Sequence, residues 1–203
     1  MFESKEQRIQ DFAMTWTEYA PEESDYLITE NQDLMNYLEN EGFFTAPAST
    51  KYHGAYEGGL YDHSAKVFER LAELTINNNL KWERDESPFI VGMFHDLCKC
   101  DQYKLVSDVT RLLSGNNIIA DLKSDNKHWE YNKDTVLKGH GDKSVIILSR
   151  FIKLTEEEML CIRYHMGAYE TSDWRGFDEA IKKYPNVLWT HHADMIASKL
   201  DNT

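Results

Sequence analysis

The sequence predicts an all-α fold in one compact domain, and three observations carry that expectation. Apolar residues recur at three- and four-residue spacings almost throughout. Recognisable start and stop residues bracket the periodic stretches. A chain of 203 residues that is 41% hydrophobic and 12% aromatic also has enough apolar material for a sizeable core. Charged residues make up 28%, an ordinary globular share, and there is no internal repeat, low-complexity tract or linker.

Residues 4–19 place Ile9, Phe12, Ala13 and Trp16 on one stripe, which Ala20 extends before Pro21 breaks the pattern. A second helix is expected over roughly 30–41, with Leu34, Tyr37 and Leu38 inward and Gly42 closing it. FFTAPASTKYHGAYEGG reads as an irregular connection. From Leu60 to about Ile76, Val67, Phe68, Leu71 and Leu74 describe a buried helix. Ser87-Pro88 is a helix start, with a capping hydroxyl and proline at the first helical position. The FIVGMFHDLCK helix that follows is apolar nearly all round and should be central. Residues 104–139 are the least regular part, with a small hairpin expected around 125–138 near Trp129 and Tyr131. Helical signals return at Asp142-Lys143-Ser144, and Thr155-Glu156-Glu157-Glu158 is a capping box. A short helix over 177–184 is stopped by Pro185, and VLWTHHADMIASKL forms the last one.

Several function classes are set aside by composition. No apolar run approaches the ~20 residues of a membrane span. The opening MFESKEQRIQDF is too polar for a signal or transit peptide, so a cytoplasmic setting is expected. The three cysteines, Cys98, Cys100 and Cys161, cannot all pair with one another, which also suits a reducing compartment. Cys98 and Cys100 lack a second pair at zinc spacing and read as small buried side chains. The net charge of -13 disfavours a long polyanion as a general partner, although a local basic groove would still accept a strand end.

Metal-ligand residue types stand beside apolar helical stretches in five places: His63 in GGLYDHSAKV, the pair His95-Asp96 in VGMFHDLCK, His140 in GHGDKS, His165 in IRYHMG, and Asp194 in HHADMIAS. Each alone is more simply a hydrogen-bonded core or surface residue. His95-Asp96 is the strongest signal, because an unpaired carboxylate at the end of an apolar helix is costly. Neighbours on a helix point about 100° apart, so both serve one centre only if the helix ends there or the carboxylate reaches across. Four imidazoles and two carboxylates suffice for two divalent cations with one carboxylate bridging.

The order H…HD…H…H…D resembles the HD superfamily of metal-dependent phosphohydrolases. GGLYDHSAKV is similar to its first motif, FHDLCK to the second, GHGDKS and RYHMG to the third and fourth of two-metal members, and HHADMIAS to the last. The likeness spans about residues 43–201 and is nearest to small bacterial and phage HD hydrolases and to the HD domain of 3′→5′ exoribonucleases. It implies an HD-domain helical bundle over 43–203, with residues 1–42 as a helical extension packed on it. It also implies a divalent-metal-dependent phosphohydrolase that cleaves a nucleotide or other small phosphate ester by metal-bound hydroxide. His63, His95, Asp96 and Asp194 would hold one metal, and Asp96, His140 and His165 the second. Imidazole and carboxylate ligands suit Mn, Fe, Co, Ni or Zn better than Mg, and the resemblance leans to Mn or Fe.

Lys99, in His-Asp-x-x-Lys, matches a lysine that contacts substrate phosphate in related enzymes; a helix-terminal cation complementing the dipole is the other reading. His53, in a Gly-rich loop, is the candidate for contact with phosphate or for leaving-group acid, against a plain loop hydrogen bond. At most one of His191 and His192 is expected to face the site, His128 is expected to be exposed, and Arg163 to form a surface ion pair. Trp129, Tyr131, Tyr169 and Trp174 are loop aromatics that either stack on a base or anchor the loop. The chain lacks the Gly-Tyr-Pro signature of the cyclic-dinucleotide branch, and its first 42 residues have the wrong period for the OB domain usual ahead of the exoribonuclease HD domain. A 3′→5′ exonuclease, a di-iron oxygenase on the same ligands and a non-catalytic nucleotide sensor remain as alternatives.

Overall fold

The computed structural model describes residues 2, 4–20, 27–29, 31–107, 127–167 and 173–203. The Pro21 break, Tyr169 and part of the irregular 104–139 stretch lie outside them. The described chain is mostly helical with one small two-stranded antiparallel sheet. Helix α1 spans Lys5–Tyr19, α2 Asn31–Asn40, α3 Gly59–Asn78 and α4 Ser87–Phe94. A 3-10 turn over Leu97–Cys100 leads to strand β1 at Tyr103–Ser107, which pairs with β2 at Lys127–Tyr131. Helices α5 (Gly141–Leu148), α6 (Glu156–Tyr164), α7 (Trp174–Lys183) and α8 (Asn186–Ile196) follow, and a π turn over Ala197–Asp201 closes the fold.

Helix α4 is the centre, since all its residues are buried. It packs on α3, and Gly92 permits the approach, because a Cβ there would stand 2.5 Å from the Phe68 backbone. Helix α1 belongs to the same core. Phe12 is fully buried, edge-on to Phe44 at 5.7 Å and to Phe94 at 6.1 Å. Arg8 of α1 is buried too; its Nε donates to Asp62 Oδ1 at 2.8 Å, and Tyr56 donates to Asp62 Oδ2 at 2.9 Å. The residue that precedes His63 is thereby tied to the first helix.

Several expectations change in detail. Helix α4 stops at Phe94, with His95 as its C-cap and Asp96 in a different backbone region (φ -104°, ψ 19°), so the helix does not run on through Lys99. The Ser87 hydroxyl does not cap α4; it donates to Glu158 Oε1 at 2.8 Å. The 127–131 stretch is a strand, but its partner is 103–107 rather than a neighbour within a local hairpin. In that register Tyr103 faces Tyr131 and Leu105 faces Trp129, cross-strand pairs that a reading limited to 125–138 cannot contain. The Thr155 box forms as expected: Thr155 Oγ1 accepts from Glu158 N at 3.2 Å, and Glu158 Oε2 accepts from Thr155 N at 2.9 Å.

Candidate metal centre

His95 and His165 are set by one local device. Each is the C-cap residue of a helix, α4 for His95 and α6 for His165, where the last carbonyls have no helical partner. His95 Nδ1 lies 2.8 Å from Gly92 O, and His165 Nδ1 lies 2.7 Å from Ile162 O, each three residues back. A ring that donates through Nδ1 keeps a lone pair on Nε2, and that nitrogen points inward in both. His63 follows the same logic at long range, with Nδ1 2.9 Å from Thr203 O. His140 differs, because its Nδ1 meets Cys98 Sγ at 3.4 Å. Gly141 brings His140 beside His165, since a Cβ there would stand 2.3 Å from Arg163 O.

These rings converge on Asp96, and its two oxygens face different sets. Oδ2 is 3.6 Å from His63 Nε2, 3.4 Å from His95 Nε2 and 2.6 Å from Lys99 Nζ. Oδ1 is 2.7 Å from His140 Nε2 and 3.5 Å from His165 Nε2. Asp194 Oδ1 lies 3.2 Å from His63 Nε2, on the side of the first set. All six predicted ligands, together with Lys99, therefore meet in one place, although they come from segments spread over 132 positions of the chain, His63 to Asp194.

Electrostatics bind the cluster. Burial alone would raise the Asp96 carboxyl, but Lys99, His95 and His140 outweigh it and hold the group well below the usual carboxylate range. Burial likewise works against charge on Lys99 and His140; Asp96 overcomes it and raises both. Burial lowers His165, and Asp194 is lowered against its own burial, chiefly by His63.

Buried Asp96 Oδ1, His140 Nε2 and His165 Nε2 have no hydrogen-bond partner of adequate geometry. Orphaned buried polar atoms are costly, and here an acceptor and two ring nitrogens are aimed at one point. Among the described residues, three groups have donor atoms within 4.8 Å of one another: His63, His95 and Asp194; His95, Asp96 and His165; and Asp96, Cys98 and His140. Imidazole, carboxylate and thiol at such spacing fit a divalent metal site. Cys98, read from sequence as a small buried side chain, is fully buried and touches a candidate ligand. Its position two residues after Asp96, in the turn where the helix ends, was the available signal.

A cavity of about 420 Å³ opens over the cluster, lined by Asp96, Lys99, His140 and Asp194 and walled by His53, Gln102, Tyr103 and Tyr131 among others. His53 sits with its ring 5.0 Å from that of His63 and its Nδ1 buried without a partner. Burial, with His63 and Lys99 adding to it, pushes its pKa down to about 4. At neutral pH the ring is uncharged, so it reaches the cavity as a hydrogen-bonding group and not as a charged acid. Neither His191 nor His192 lines the cavity; His191 Nδ1 lies 2.7 Å from the His165 carbonyl and supports that turn from outside. His128 pairs with Glu130, and Arg163 forms an exposed pair with Asp142 at 3.2 Å. Of the aromatics expected in loops, Trp129 and Tyr131 lie on β2 and Trp174 opens α7; Tyr131 lines the cavity, and Trp129 and Trp174 do not.

No family model matches this chain, and no curated protein or solved structure is significantly similar to it. Fold and site together define a mostly helical protein with a buried His/Asp/Cys cluster at metal-binding distances. No helix among the described residues is long and apolar enough to cross a membrane.

Proposed function

We propose that this chain is a divalent-metal-dependent phosphohydrolase of the HD type, acting on a nucleotide or other small phosphate ester. The observation that carries the reading is the division of Asp96, whose Oδ2 faces His63 and His95 while Oδ1 faces His140 and His165. A carboxylate shared in that way is what a bridging ligand between two cations requires. His63, His95, Asp96 and Asp194 would hold one metal, and Asp96, His140 and His165 the other, with Mn or Fe favoured. Such a pair of cations, held by these residues, would supply a water acidified near neutral pH and would neutralise charge on a phosphoryl group.

The chain's own residues do the rest. The carbonyls of Gly92, Ile162 and Thr203 fix three rings so that Nε2 faces the centre. Lys99, buried beside Asp96, adds a fixed positive charge to the cavity floor where phosphoryl oxygens would lie. His53 offers a neutral hydrogen-bonding ring at the cavity wall. Met166 and Met195 contribute apolar wall to the cavity. A cavity of about 420 Å³ falls within the usual range for small-ligand sites.

The test is metal analysis of protein purified without added metal, run beside a screen of nucleotides and simple phosphate esters with Mn2+. About two metals per chain and phosphate or nucleoside release that vanishes in Asp96→Ala is the expected result. Two irons with no hydrolysis would move the assignment to an oxygenase. No bound metal and no activity after reconstitution would overturn the ligand assignment.

A further inference from the structure

The cavity over Asp96 is not a closed cup. Through His53, Ser198 and Lys199 it joins a groove that reaches Tyr52. Through Gln102, Tyr131 and His140 it joins a second groove that passes Lys138 and Lys143. These arms have volumes of about 530 and 270 Å³, and the Asp96 cluster stands between them. Each arm carries a solvent-facing aromatic ring: Tyr52 is 80% exposed and Tyr131 is 63% exposed. Tyr131 is held on β2 against Tyr103, with ring centroids 5.2 Å apart, so its face is presented from a paired strand.

The charge of this trough is opposite to that of the chain. The protein has 35 acidic against 22 basic residues. Among the described residues that line the cavity and both arms, the only carboxylates are the candidate ligands Asp96 and Asp194, whereas Lys99, Lys138, Lys143 and Lys199 all contribute. Lys143 is paired with Asp101 and Lys138 donates to Thr135, while Lys199 has no ion pair among the described residues. A lysine-lined path through an acidic surface selects a short anion, because a long polyanion would meet repulsion beyond the path.

We propose that the substrate is a short phosphodiester lying along this trough, a dinucleotide in size, with one nucleoside on each side of the scissile phosphate. The proposal rests on the phosphohydrolase reading and adds the bond type and the two flanking groups. A phosphomonoester would occupy one arm and leave the other arm, with its tyrosine, unused. A diester would extend one nucleoside into each arm, toward the tyrosine that lines it, and stacking on tyrosine is tolerant of base identity. In the reaction a water oxygen bonds to phosphorus and the bond to one ester oxygen breaks, its electron pair staying on that oxygen. The leaving oxygen takes up a proton from the water, giving a nucleoside hydroxyl and a nucleotide monoester.

The experiment compares kcat/KM of the Mn2+-loaded protein for 5′-phosphorylated dithymidylate, thymidine 5′-monophosphate, p-nitrophenyl phosphate and a 20-nucleotide thymidylate strand. The dinucleotide is expected to exceed the monophosphate and the long strand by at least about tenfold. In Tyr52→Ala and Tyr131→Ala, the ratio of dinucleotide to p-nitrophenyl phosphate turnover should fall roughly 5- to 100-fold, mostly through KM. Equal or better turnover of the monophosphate, preference for the long strand, or an unchanged ratio in both variants overturns the inference and leaves the phosphohydrolase reading intact. A metal-loaded protein that hydrolyses none of the four overturns that reading, and the inference with it.

Discussion

Two buried carboxylates, Glu158 and Asp96, stand at comparable depth and are treated in opposite ways. Glu158 is fully enclosed, and both its oxygens are shared among donors: Oε1 accepts from Arg84 Nε at 2.7 Å and from Ser87, while Oε2 accepts from Arg84 Nη2 at 2.6 Å and from Thr155 N. Asp96 is 2% exposed, yet its Oδ1 and the two ring nitrogens facing it have no hydrogen-bond partner of adequate geometry. Burial alone therefore does not mark a functional group. A saturated carboxylate fastens helices together, and an unsaturated one surrounded by imidazoles is prepared to receive something.

The same substitution at both positions breaks the comparison most directly. Asp96→Asn should cost activity roughly a thousandfold or more, because outer-shell partners of a metal ligand alone are worth about 10–100-fold. Metal content measured on the purified variant should fall with it. Glu158→Gln should leave metal content unchanged and instead lower stability by about 3–5 kcal/mol, since Arg84 would lose its buried charge partner. Urea unfolding monitored by circular dichroism measures that loss. If Glu158→Gln lost metal and Asp96→Asn did not, the assignment of roles would be reversed.

Chelation sharpens the contrast. Removing metal from the wild-type protein and from Glu158→Gln should lower Tm in both, by an amount that grows with the free metal concentration before chelation. Asp96→Asn should show no chelator-dependent shift in differential scanning fluorimetry. A smaller effect is expected at Cys98, whose Sγ takes the place that a backbone carbonyl takes for the other three rings. Cys98→Ser should weaken metal binding by about 10–100-fold if the thiol orients His140. With Co2+ bound, an intense sulfur-to-metal absorption band near the ultraviolet would show instead that Cys98 is itself a ligand. Smallest of all is Arg163→Ala at the exposed Asp142 pair, expected to change stability by less than about 0.5 kcal/mol in the same urea titration.

The sequence by itself determined whatever depends on residues three or four apart. The stripe through Phe12 and Trp16, the Thr155 capping box and the Pro185 stop are local, because helical hydrogen bonds and caps close within one turn. His95-Asp96 was also visible, since polar residues at the end of an apolar helix call for partners, and the order of motifs likened to the HD superfamily singled out the other four candidates. Tertiary structure alone decided what those partners are. The halves of the Asp96 carboxylate are told apart only once α3, α5 and α6 surround the end of α4, which depends on Gly92 and Gly141 allowing close backbone approach. Ser87, which reads as a cap, was claimed by Glu158, 71 positions away. Strand β2 found its partner across a long intervening segment and not in a local hairpin. Lysines scattered from position 99 to 199 gather along one trough in an acidic chain. Periodicity specifies which face of an element is apolar, while long-range packing specifies which elements meet there, and a composite site exists only after they have met.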